Sequence, residues 1–269
     1  MVPVANPRIP FETVFVDEHL LVVSKRRGRV TLPGRGHARD TLLNGVFAAY
    51  GASLAKLGAR RDYGLLHRLD RATSGLVVFA RTADAYESMR EAFATRRVEK
   101  TYLTIVRRRP PRARGVASMR LRQTRRGELR VSLPDPRGVE AVTHWRQVAR
   151  GGGRSLLVCR LETGRLHQIR AHLAALGCPV EGDTVYGAAG APETRASKAR
   201  QADRSLLLHA WRLTLAHPGD GRALSVQADP PEHFRAAARS WGLGPAIDAE
   251  LQGRGRGAVP PKAQRIRDP

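Results

Sequence analysis

Between Val116 and Leu161 the chain reads as a series of short β-rich stretches, cut by turn signals at Arg126–Gly127, Pro134–Pro136 and Gly151–Gly153. Strands joined by connections this short pair antiparallel, because a parallel crossover needs many more residues. The same pattern recurs outside this block. "TVFVDEHLLVVSK" reads as two strands about an Asp17–Glu18 turn, "YGLLHRLDRATSGLVVFAR" as strand, turn, strand, and "EKTYLTIV" and "SLLLHAWRLTLAHP" as single strands. Helical spacing is confined to a few places. Leu42, Leu43, Val46 and Phe47 follow a cap at Asp40, and Tyr86, Met89, Phe93 and Val98 follow a cap at Thr82 or Asp84. Ile169, Leu173 and Leu176 share a face that stops at Gly177, and a short helix starts at Pro231. Strand runs with a few helices predict an α+β fold with a mixed, mostly antiparallel sheet and flanking helices.

Charge narrows the partners. Lys and Arg number 47 against 24 acids, a formal net charge of +23. So large a surplus repels itself in a compact chain and is explained by a polyanion, nucleic acid first and an anionic membrane surface second. No apolar run approaches the ~20 residues of a spanning helix. The start has no basic region followed by an apolar stretch, so no secretory signal is expected. Two cysteines, Cys159 and Cys178, make no disulfide framework and fit a reduced, cytoplasmic setting. At 269 residues the chain can bury a sizeable core. Residues 1–10 hold three prolines and are expected to form a flexible arm. One catalytic domain is expected over 11–245, a surface loop over 188–203, and a basic, disordered tail over 246–269.

Three segments carry candidate chemistry. In "HRLDRATSG", His67 to Gly75, Asp70 stands where a strand gives way to a turn, a common place for a reactive group. The plain alternative is that its side chain caps the turn. Tyr102 lies on the strand "VEKTYLTIV"; alone, such a residue is more often a core tyrosine with its hydroxyl hydrogen-bonded than a catalytic one. Arg165, His167, Gln168 and Arg170 crowd the first turn of a helix, where an anionic partner is favoured; the alternative is a solvated basic face.

Together the segments "HRLDRATSG" and "GRLHQIRAHLAALGCPVEGDTVYG", in this order, resemble the RluA-type family of RNA pseudouridine synthases, its ribosomal and transfer RNA branch. The opening "VDEHLLVVSK" and the late "LLLHAWRLTLAHP" are similar to that family too. The resemblance implies a pseudouridine synthase fold with a central cleft, needing neither metal nor organic cofactor. It implies that Asp70 is the catalytic aspartate, that Tyr102 lies against the uracil and helps remove its C5 proton, and that Arg170 holds Asp70. It implies RNA contacts from Arg68, which reaches into the stack the target base leaves, and from His67, Arg71, Thr73, Arg165, His167 and Gln168. The partner is ribosomal or transfer RNA, and a monomer is expected. The chain departs from the family at Arg26, where a proline usually follows the lysine, and matches it loosely over 107–133. No N-terminal S4-type RNA-binding domain, which many relatives carry, is expected.

Other chemistry fits less well. His167, His172 and Cys178 lack a zinc spacing and a fourth ligand, so no metal is expected. There is no phosphate-cradling "GxxxxGK[ST]" string, and Ser74 lacks the glycine expected two positions before a hydrolase nucleophile. The remaining alternative is a catalytically inactive, basic RNA-binding or ribosome-assembly protein on the same fold. The joint presence of Asp70, Tyr102 and Arg170 argues against it.

Overall fold

The computed structural model describes residues 2–187 and 206–253, with the backbone of 265–266. The expected loop over 188–203 and most of the expected tail lie outside these residues. In chain order the strands are β1 (Glu12–Val16), β2 (Leu20–Lys25), β3 (Ser74–Ala80), β4 (Glu99–Arg107), β5 (Arg114–Arg126), β6 (Leu129–Pro134), β7 (Val139–Gly151), β8 (Arg154–Leu161), β9 (Leu208–Ala216) and β10 (Ala223–Gln227). The helices are α1 (Leu42–Leu57), α2 (Ala83–Ala94), α3 (Gln168–Ala175), α4 (Glu232–Ser240) and α5 (Gly244–Leu251). The fold is α+β, and its strand pairings are mostly antiparallel. The chain divides into two compact units. Unit 1 holds Met1–Lys100 and Ala210–Asp229, and unit 2 holds Thr101–His209 and Pro230–Pro269.

In unit 1 the strand order is β1-β2-β3-β9, with β10 folded back on β9. β3 is buried along its whole length, which explains its unbroken "SGLVVFA". Leu20, Val22, Leu76, Val78, Met89, Leu213 and Leu215 form one core cluster. Burying each such side chain stabilises the fold by ~1.5–3 kcal/mol. Two local readings need correction. The cap of α1 is Thr41, not Asp40: its Oγ1 accepts from the Asn44 N–H, and Asn44 Oδ1 accepts from the Thr41 N–H at 3.0 Å, a reciprocal box. Asp40 instead meets the His37 ring at 2.9 Å. Val98 is buried as expected, but α2 ends at Ala94, so it packs from the loop beyond. The helix is capped by Thr82, as its sequence allows.

The first ten residues are not a loose arm. Asn44 Nδ2 donates to the Val4 carbonyl at 2.8 Å, the Asn6 N–H donates to the Asn44 carbonyl at 3.0 Å, and Ile9 is buried against Gly45. A prolyl segment has fewer donors to satisfy, so a few such bonds suffice to fasten it.

Unit 2 has the strand order β4-β8-β7-β5, with β6 paired to β5. β7 and β8 are joined by Gly152 and Gly153 at φ +54° and +70°, the left-handed pair a tight hairpin requires. Trp145 is fully buried and donates from Nε1 to the Arg112 carbonyl at 3.2 Å. Part of the expected tail is ordered. Residues 244–251 form α5, with Pro245 in its first turn and Ile247 buried, and Glu250 pairs with Arg146 at 2.9 Å where both are buried. Among the described residues no helix is long and apolar enough to cross a membrane.

Candidate active site

Unit 1 builds the Asp70 turn from backbone upward. The sequence reading of a strand before Asp70 needs correction: Leu65 bridges to Phe79 of β3 and the Leu66 N–H donates to the Val78 carbonyl at 3.1 Å, but residues 66–70 form no strand. Side chains take over the missing ladder bonds. His67 Nε2 accepts from the Val78 N–H at 3.2 Å, and its ring lies 5.1 Å from that of Phe93. Burial, helped by the nearby Lys100 ammonium, pulls the His67 imidazole down to about 3, so it is neutral and its proton sits on Nδ1. Thr31 Oγ1 donates to the Leu69 carbonyl at 2.9 Å and accepts from the Leu69 N–H at 3.3 Å. The Thr73 N–H then closes a turn on the Asp70 carbonyl at 3.1 Å.

Gly75 ends this turn at φ +115°, and a Cβ there would lie 2.2 Å from the Ala210 carbonyl oxygen. Both the angle and the space exclude a side chain. Gly75→Ala is expected to cost more than about 3 kcal/mol, read as a loss of the urea midpoint with little change in slope. An unchanged midpoint would contradict the close approach of β3 and β9.

The residue that sequence reasoning missed here is Lys25. It was noted only for its neighbour, yet it is 1% exposed. Its Nζ donates to the carbonyls of Arg29 at 2.8 Å, Arg26 at 3.1 Å and Arg71 at 3.4 Å. The Gly28 N–H donates to the Arg71 carbonyl at 2.7 Å, and Arg71 Nε returns a bond to the Gly28 carbonyl at 3.1 Å. The loop after β2 is thus laced to the residue next to Asp70. Burial lowers the Lys25 ammonium to about 7, while the negative charge of Asp70 pulls it back up. No periodicity reveals this, because a lysine at a strand end usually faces water.

That lysine sets a pH prediction. Unfolded, it holds its proton to about pH 10.4. Between pH 7 and that value the unfolded chain binds the proton and the native chain does not, so this group makes stability rise with pH. The wild type should therefore gain on Lys25→Met by at most about 1.4 kcal/mol per pH unit between pH 7 and 9, in urea melts. Parallel profiles would contradict the assignment.

Around the turn, Asp70 is half-buried, Arg68 and Arg71 are exposed, and Thr73 is buried.

Unit 2 carries the other two segments. Tyr102 lies on β4 and is 8% exposed. α3 is entered through His167, held in the left-handed region at φ +54°. Arg170 makes a bidentate pair with Asp183, Nε to Oδ2 at 2.7 Å and Nη2 to Oδ1 at 2.9 Å. Asp183 Oδ1 also accepts from the N–H groups of Val185 (2.9 Å) and Tyr186 (3.0 Å). Burial alone would raise the Asp183 carboxyl; the Arg170 guanidinium and these two N–H groups outweigh it and hold the acid below its ordinary range. The Arg170 guanidinium lies over the Tyr186 ring at 5.2 Å. The Tyr186 hydroxyl accepts from the Ser132 N–H at 2.8 Å and meets His167 Nδ1 at 3.1 Å.

Gln168 is wholly occupied inside unit 2. Its Oε1 accepts from Thr163 Oγ1 at 2.7 Å and the Arg165 N–H at 3.0 Å, and its Nε2 donates to the Val142 carbonyl and Thr143 Oγ1, each at 3.0 Å. All four hydrogen-bonding positions are used, which leaves none for RNA. Arg165 is exposed, with Nε on the Glu140 carbonyl at 3.0 Å. Asp183 and Tyr186 belong to the "EGDTVYG" end of the second motif, and the sequence reading gave neither of them a role. The available signal was an Asp able to cap the amides two and three residues on. Among the described residues no cluster of His, Cys, Asp or Glu could hold a metal ion.

Comparison with known proteins agrees with these motifs. The family model for RNA pseudouridylate synthase matches residues 19–175, a span that includes Asp70, Tyr102 and Arg170. Ribosomal large subunit pseudouridine synthase D of Zymomonas mobilis is 36% identical over 233 residues, 84% of this chain and 71% of the relative. The enzyme of the same name from Xanthomonas campestris is 36% identical over 232 residues, 84% of this chain and 68% of the relative. Human RNA pseudouridylate synthase domain containing 4 shares the fold at TM-score 0.66 and 22% identity, over 85% of this chain and 92% of that one. Human RNA pseudouridylate synthase domain containing 1 does so at TM-score 0.65 and 23% identity, over 93% and 97%. The chain belongs to the RluA-type RNA pseudouridine synthases, isomerases that convert uridine to pseudouridine in RNA.

Proposed function

We propose that the enzyme isomerises one or more uridines in structured ribosomal or transfer RNA, with Asp70 as the catalytic carboxylate. The observation that carries this reading is the Asp70 turn itself, tied by Thr31, Thr73 and the lacing of Lys25 and Gly28 onto Arg71. A carboxylate held on a fixed backbone is positioned for its task before the substrate arrives. In the reaction the N1–C1′ bond of the uridine breaks, the uracil turns, and a C5–C1′ bond forms. The C5 hydrogen leaves as a proton and N1 takes one up. Asp70 acts on the nucleoside while the glycosidic bond is broken, by covalent attack or by stabilising positive charge.

The buried phenol of Tyr102 suits a partner that lies flat on a pyrimidine and handles the C5 proton. Arg170, fixed by Asp183, offers a guanidinium already oriented by one carboxylate to orient Asp70 as a second. The target base must leave its stack, and the exposed Arg68, Arg71 and Arg165 are suited to holding backbone and filling the gap. The enzyme acts as a cytoplasmic monomer. The printed names of the two bacterial relatives point to large-subunit ribosomal RNA as the first substrate to try.

The test is to treat ribosomal and transfer RNA from cells lacking this protein with the purified enzyme and to count pseudouridine after nuclease digestion. A rise in one pool names the substrate class. No rise in either pool would overturn the reading.

A further inference from the structure

We infer that unit 2 carries a second anion-binding cleft, lined by Arg108, Arg109, Arg150 and Arg154, that holds phosphates of the RNA substrate away from the target uridine. The inference rests on the RNA-modifying reading above. The cleft, of about 360 Å³, lies between the end of β4 and the β7–β8 hairpin. Four of its seven lining residues are arginines and none is acidic. Like charges gathered at one mouth repel one another, a cost that a bound polyanion removes.

The arginines are not equivalent. Glu181 meets Arg154 at 2.8 Å, and Arg154 lies over the Trp241 ring at 5.0 Å, so Arg154 is part of the wall. Arg108, Arg109 and Arg150 are exposed and have no carboxylate partner among the described residues. They supply the free charge.

The cleft is also built in advance. Arg108 is held in the left-handed region at φ +67°, which costs a non-glycine residue roughly 1–2 kcal/mol. Its N–H donates to the Gly153 carbonyl at 3.2 Å and its carbonyl accepts from Ser155 Oγ at 3.1 Å. These bonds staple it to the hairpin. The hairpin is backed by Trp241: a Cβ at Gly151 would lie 1.9 Å from the Trp241 carbonyl oxygen, and one at Gly152 2.6 Å from its ring. The mouth therefore keeps its shape without a ligand, and guanidinium groups suit the planar, bidentate recognition of phosphate oxygens.

Its position favours RNA over a small free anion. Tyr102 stands within β4 and Arg108 directly follows its last residue, ~20 Å away at the rise of an extended strand. The β8 strand likewise runs from the cleft at Arg154 to the approach of the Arg165–Arg170 segment. A structured RNA seated at Tyr102 spans that distance within one helical arm, whereas a mononucleotide does not.

The test compares wild type with R108N/R109A/R150A, exposed substitutions that respect the left-handed backbone at 108. Dissociation constants are measured by filter binding for a long ribosomal RNA fragment and for a stem-loop of about ten nucleotides, across a salt series. The triple variant should lose about tenfold or more in affinity for the long RNA relative to its loss for the stem-loop. The salt slope on the long RNA should flatten by about 2 to 3. Equal losses on both RNAs would overturn the proposal. Titration with inorganic pyrophosphate identifies the other source: tight pyrophosphate binding abolished in the variant, with long-RNA affinity unchanged, would make this a free-anion site and overturn it too. Because binding is read without turnover, the result stands apart from whether the enzyme modifies the chosen RNA.

Discussion

Asp70→Ala is expected to reduce pseudouridine formation by about 10⁴-fold or more while leaving RNA affinity close to that of wild type. The effect is large because the substitution removes the group that acts on the nucleoside, while Thr31, Thr73, Lys25 and Gly28 still tie the turn. The fold should survive, since Asp70 is half-buried and the turn is closed by its backbone carbonyl, which alanine retains. A cost on the order of 1 kcal/mol is expected, because the Asp70 charge is what pulls buried Lys25 back toward its protonated form. The check is nucleoside analysis of treated RNA beside a thermal melt. Lost activity with a melt close to wild type is the expected pair. Activity within tenfold of wild type would remove Asp70 from the chemistry.

The second large effect is structural. Asp183→Ala should destabilise the protein by about 3–5 kcal/mol. It leaves the Arg170 guanidinium buried without its bidentate partner and strips the acceptor from the Val185 and Tyr186 amides. Against a typical net stability of about 5–15 kcal/mol, such a loss brings the protein close to unfolding at ordinary temperature. Asp183→Asn should cost nearly as much, because its amide would set donors against a donor-only guanidinium. The same pair sets an acid limit. The Asp183 carboxyl lies below its unfolded value, so its contribution is fully present above about pH 4 and is lost as pH falls through the lower native value. Urea melts of the variants near neutral pH check the magnitude, and a cost below 1 kcal/mol would contradict the closed pair.

These residues mark what a sequence can disclose. The family was legible because the strings that hold Asp70 and Arg170 join characteristic residue types at a fixed spacing and order. The strands β2, β3, β7 and β8 were legible because burial on one or both faces writes itself into local hydrophobicity. Lys25 and Asp183 were not, because the role of each depends on how separate segments fold onto one another. Lys25 reaches the Arg71 carbonyl and Arg170 reaches Asp183, and no local pattern encodes either meeting. Thr41 displaced Asp40 as a helix cap because two adjacent polar residues compete and only tertiary packing chooses. The N-terminal segment was misread because composition predicts a loose chain, while Asn44 supplies the bonds that fasten it. In α5 a signal was present, with Pro245 in the first turn ahead of Ile247 and Leu251, but it was masked by the Gly-rich residues around it.

The most direct measurement of the central claim is release of tritium from RNA labelled at uracil C5, by wild type and by Asp70→Ala, on ribosomal and transfer RNA. Isomerisation must expel the C5 hydrogen. Release by the wild type in step with new pseudouridine, and none above blank by the variant, is the predicted result. Release by Asp70→Ala at the wild-type rate would contradict the account.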